Sequence, residues 1–220
     1  MKNLFPLLII MTLTVLCLSC KKSSEDSTTT GLGGDPSPMG QVGTTVSSSS
    51  IEIAGLKNFS GSVISLKNGV STYTGKATVT NSLIKNMLAN VPQVVTTGDT
   101  VSTTSVQIKS TTAGIESVAG LRPGIVVNYS SVVGDKYAIT SSSDKRTVVS
   151  KSTTDDYFYG FLMIKVMKIE ETVSGALKST TGLDKITYWA NHRFGLVGIE
   201  FSYSDGSSAN FPLYTSTENP

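Results

Sequence analysis

From residue 51 onward the chain repeats every two residues, and that rhythm limits what it can fold into. Tyr73, Ala77 and Val79 alternate with Thr72, Thr74, Thr78 and Thr80. Ile125, Val127 and Tyr129 alternate with Asn128 and Ser130, and Val197, Ile199, Phe201 and Tyr203 with Gly198, Glu200 and Ser202. Successive strand side chains point to opposite faces, so period two in Val, Ile, Thr and Tyr predicts half-buried strands. Turn signals punctuate them at Lys67-Asn68-Gly69, Gly134-Asp135 and Ser204-Asp205-Gly206. The expected strands are 51–54, 61–67, 71–80, 101–110, 114–118, 124–132, 136–141, 145–152, 157–172, 184–191, 196–204 and 208–214. No period of a repeat protein is visible.

One segment follows a helical period instead. Leu83, Ile84, Met87 and Leu88 fall on one stripe after Asn81, a good N-cap, and Pro92 lies just past the end. This predicts a short amphipathic helix over 82–90. Residues 157–169 are apolar on both alternations, as a strand covered on both faces would be. The sheet is therefore expected to curl. The predicted class is mainly β, a curved antiparallel sheet or half-open β-barrel with one short helix packed on its concave side. Most of the apolar side chains in 157–169 are expected to be core. A cavity for an apolar guest is the sharper alternative, with Phe161, Met163, Met167 and Trp189 as candidate ligand-binding residues; methionines suit an adaptable wall.

The start of the chain speaks to location. Met1-Lys2 is followed by an apolar run of about fifteen residues, Leu4 to Leu18, short of the roughly twenty needed to cross a bilayer. Leu18-Ser19-Cys20 then gives the layout of a bacterial secretory signal ending in a lipobox. Residues 1–19 are expected to leave, and Cys20 to carry a diacylglycerol thioether and an acyl chain on its new amino group, partnering the membrane. Cys17, preceded by Leu16, does not fit that role. The chain has two cysteines. Loss of Cys17 and acylation of Cys20 would leave no thiol and no disulfide, so stability must come from a packed core. Lys21 rather than aspartate follows Cys20, which favours the outer membrane, with the protein lipid-anchored and facing the periplasm or the surface. Ser23-Ser24-Glu25-Asp26 faintly resembles the acidic export tags of Bacteroidetes surface lipoproteins.

Residues 20–50 are mostly Ser, Thr, Gly and Pro and read as the lipidated cysteine followed by a disordered tether. Residues 51–220 read as a single β-rich domain. Removing the leader takes Lys2 with it and leaves 17 basic against 16 acidic side chains. That balance gives no electrostatic basis for nucleic-acid binding.

Towards the C-terminus the residues have a recognisable order. Tyr157 to Glu171 is followed by a polar excursion over 174–182, then Ile186-Thr-Tyr-Trp-Ala190 and Gly195-Leu-Val-Gly-Ile-Glu200. Over roughly residues 145–214 this resembles a family of uncharacterised bacterial lipoproteins of Bacteroidetes type, in which a Tyr/Trp-Ala strand leads through a turn into Gly-Leu-Val. The resemblance implies a half-open antiparallel barrel with a helix on its concave side, a shape similar to the lipoprotein carriers of the outer-membrane sorting system. The chain departs from the family at Asn191-His192-Arg193-Phe194 and at Gly198.

Catalytic signals are sparse. His192 is the only histidine, and no Gly-x-Ser-x-Gly elbow accompanies it. An exposed turn histidine is the expected role, and a His192-dependent hydrolase the weaker alternative. One histidine and no remaining cysteine leave little to bind a transition metal. Asp155-Asp156 lacks the alternating ligands of a calcium loop. The chain is therefore expected to be a non-enzymatic envelope lipoprotein without cofactor, binding a lipid or other apolar ligand. The alternative is an accessory subunit with an envelope protein partner.

Overall fold

The computed structural model describes residues 31–48, 55–89, 93–120, 122–140 and 142–217. The leader, Cys20 and the strand expected at 51–54 lie outside the described residues. Sixteen strands are described: β1 (Thr45–Ser47), β2 (Leu56–Lys67), β3 (Val70–Val79), β4 (Val94–Thr97), β5 (Thr100–Thr111), β6 (Gly114–Ala119), β7 (Gly124–Asn128), β8 (Lys136–Ala138), β9 (Lys145–Lys151), β10 (Tyr157–Tyr159), β11 (Leu162–Ile164), β12 (Met167–Thr172), β13 (Leu183–Asn191), β14 (Gly195–Tyr203), β15 (Ser208–Pro212) and β16 (Tyr214–Ser216). Two helices join them, α1 (Ser82–Ala89) and α2 (Gly175–Thr181).

All the pairings are antiparallel. One sheet runs β16-β1-β2-β3-β5-β6-β7, with β4 added on β5; the other runs β15-β14-β13-β12-β9-β8. At one margin the Thr140 N–H donates to the Pro123 carbonyl at 2.8 Å. At the other the chain passes from β15 to β16 through Leu213, whose N–H reaches the Val197 carbonyl at 3.1 Å. The result is the strongly curled antiparallel half-barrel that the alternation predicts. Its main core joins Ile115, Val126 and Val127 of the first sheet to Val148, Ile169, Ile186 and Tyr188 of the second.

Local signals place the elements where expected. Asn68 and Gly69 both take positive φ, 51° and 76°, as a tight turn between twisted strands requires. The Ile84 N–H donates to Asn81 Oδ1 at 3.2 Å, so Asn81 caps α1. Ile84 is buried with Ala77, Val79 and Val101 on the concave face.

Three expectations need correction. First, 157–172 is not one strand. Gly160 (φ 62°) turns the chain, and β10 and β11 form a separate hairpin. The hairpin folds over the outer face of the second sheet, where Tyr157 and Ile164 pack with Trp189 and Val197. The double apolar alternation thus serves a third layer. Second, the polar excursion after β12 contains α2, which ends on Gly182 in the left-handed conformation.

Third, the tether does not extend to residue 50, because residues 31–48 belong to the folded body. Leu32 is buried, Pro38–Gly40 form a 3-10 turn, and β1 pairs with both β2 and β16. This segment closes one end of the barrel mainly through hydrogen bonds. Ser71 Oγ donates to the Gly40 carbonyl at 2.6 Å, Tyr73 OH to the Met39 carbonyl at 2.9 Å, and Thr111 Oγ1 to the Gly33 carbonyl at 2.7 Å. A plug built this way needs few apolar residues, and its composition therefore reads as a tether.

Candidate functional site

Between the two sheets, beside the plug, lies an apolar cavity of about 240 Å³, partly open to solvent. Val106 and Ile108 of β5 and Tyr73 of β3 form one wall; Leu196 and Ile199 of β14 face them, and Met39 of the plug closes the end.

Two features of the strands make the hollow. Gly61 of β2 and Gly75 of β3 are register partners, and both line it. A Cβ at Gly61 would meet the Thr74 carbonyl at 2.9 Å and one at Gly75 the Ser60 carbonyl at 3.4 Å, so glycine lets the two strands approach closely along this wall. The second feature is a bulge in β5. Tyr73 pairs with Val106 but Gly75 pairs with Thr103, so one extra residue of β5 is accommodated. The extra residue changes the parity and keeps Thr103, Val106, Ile108 and Ser110 all on the cavity side.

The polar groups in this wall are few. Burial pushes the Tyr73 phenol up to about 12, with a bond to Ser110 partly opposing. It stays neutral, and its proton is committed to the Met39 carbonyl. Thr103 Oγ1 is buried and has no hydrogen-bond partner among the described residues. No Asp, Glu, Lys, Arg or His is among the residues lining the cavity. Chemically the site can hold an apolar guest.

A second buried cluster lies at the seam of β7, β9 and β12. Arg146 and Glu171 are almost fully buried. Arg146 Nε donates to Glu171 Oε2 at 2.7 Å, and its other nitrogens donate to the Ile125 and Arg122 carbonyls at 2.9 and 2.7 Å. Tyr188 OH donates to the same Glu171 oxygen at 3.1 Å. Arg122 pairs with Glu171 Oε1 and, at 2.6 Å, with Asp144. Burial alone would raise the Asp144 carboxyl. Bonds from Ser174 and Arg122 outweigh it and hold the group below the usual aspartate range. Two cations and two anions balance, and the set is enclosed; it joins the two sheets. The charges lie far apart in sequence and share no motif, so pattern reading misses them.

The residues named from sequence do not meet in the cavity. Phe161 is 93% exposed at the turn of the hairpin and Met163 is half exposed beside it. Met167 is buried in the main core. Trp189 lies on the outer face, its ring 6.1 Å from that of Tyr157, with Lys168 Nζ 5.8 Å from its centroid. Cys20 lies outside the described residues. His192 is exposed in the turn between β13 and β14. It shares a shallow depression with Ser152, but the Ser152 hydroxyl donates to Asp156 rather than to the imidazole. No cluster of three metal-ligating side chains occurs among the described residues. The signal that could have found the cavity is the pair Gly61 and Gly75, each interrupting a strand.

No family model, curated protein or solved structure matches the chain. The fold and the site define a curled β half-barrel with an apolar hollow beside an N-terminal plug.

Proposed function

We propose that this chain is a non-enzymatic cell-envelope lipoprotein, anchored to the outer membrane through acyl chains on Cys20, that holds one apolar guest in the cavity. The lipobox supports the anchor, and the cavity carries the binding reading. Apolar cavities of roughly 150 Å³ take up benzene-sized molecules. A volume of 240 Å³ therefore suits a single hydrocarbon chain or a comparably small hydrophobe, not a whole phospholipid.

Native mass spectrometry of the exported chain, released gently from the envelope, tests this. The expected spectrum has a discrete added mass that organic extraction removes and that Val106→Phe abolishes. A bare mass throughout, or an adduct unaffected by Val106→Phe, would remove the reading.

A further inference from the structure

The β10–β11 hairpin covers the outer face of the second sheet with one side and leaves the other bare. Tyr157, Tyr159 and Ile164 point inward. Phe158 and its cross-strand partner Met163 point outward at 71% and 50% exposure, beside Phe161 at 93% and Leu162 at 47%. Four adjacent large apolar side chains in water mark a contact surface. None of the four lines the cavity.

We propose that this hairpin seats on a lipid bilayer, its aromatic side entering the headgroup boundary. The inference rests on the lipid-anchor reading but not on the cavity's guest. Two observations select a bilayer as the occupant. Ten residues lie between Cys20 and Gly31, where the plug begins. Even fully extended, such a segment reaches only roughly 35 Å, so the body stays near the surface that holds Cys20. The plug also reaches the hairpin: β1 pairs with β16, and Tyr214 of β16 packs on Tyr159 with ring centroids 5.5 Å apart. An exposed aromatic and apolar tip beside such an anchor suits the bilayer interface.

The test uses residues 21–220, which lack the acyl anchor, sedimented with vesicles of phosphatidylethanolamine and phosphatidylglycerol. The unaltered chain is expected to sediment with the vesicles. Phe158→Ser combined with Phe161→Ser should weaken binding about tenfold or more while leaving the circular dichroism spectrum unchanged. Val95→Ser, at an exposed site on β4, should bind as the unaltered chain does. Absence of sedimentation, or equal binding by the double variant, would overturn the proposal. So would a dimer in sedimentation velocity that the same double substitution abolishes, because the patch would then belong to a second copy.

Discussion

Two interior regions of this half-barrel solve opposite problems. At the seam of β7, β9 and β12 the space is filled with charge: Arg122, Arg146, Asp144 and Glu171 leave no room and are held by carbonyl, hydroxyl and ionic partners. Between β3, β5 and β14 the space is left unfilled, behind two glycines and a bulge. The first region makes the sheets meet in one register, because a displaced partner would leave a buried charge unpaired. The second gives up packing. A fold can hold open an apolar hollow when rigidity is supplied elsewhere.

The contrast breaks most sharply at Glu171. Removing it as Glu171→Ala leaves two buried guanidiniums facing each other without their shared anion. The expected loss is about 3–5 kcal/mol, read from urea unfolding or as loss of folded protein. A loss below about 1 kcal/mol would mean the cluster is dispensable.

Acid gives a smaller and graded effect. The Asp144 carboxyl lies below its ordinary value when folded. Its contribution is therefore present above the unfolded value of about 3.9 and is lost as pH falls through the depressed folded value. The unfolding midpoint should hold from neutrality to about pH 4 and fall below it, and Asp144→Asn should flatten that fall. A fall beginning near pH 6 would point to another group.

How far the fold could be read from sequence follows from the same contrast. Most strand positions, the NG turn and the Asn81-capped helix were legible because each depends on neighbours within a few residues. The hairpin was hidden because period two is the same in one long strand and in two short ones; Gly160 was the only mark of the turn. The plug was hidden because it is held by hydroxyls and carbonyls, which composition reads as solvated. The cavity depends on Gly61 facing Gly75 and on one extra residue in β5, relations that exist only once strands are paired. The ionic seam likewise joins residues brought together by topology alone.

The central claim is that the hollow is a binding site rather than a packing fault. The most direct test is the unfolding midpoint of residues 21–220 against rising concentration of decanoic acid, in the unaltered chain and in Val106→Phe. The predicted result is a midpoint that climbs with ligand in the unaltered chain, as linkage requires, and stays flat in Val106→Phe, whose ligand-free midpoint is equal or slightly higher. Flat curves for both, or parallel rises in both, would contradict it.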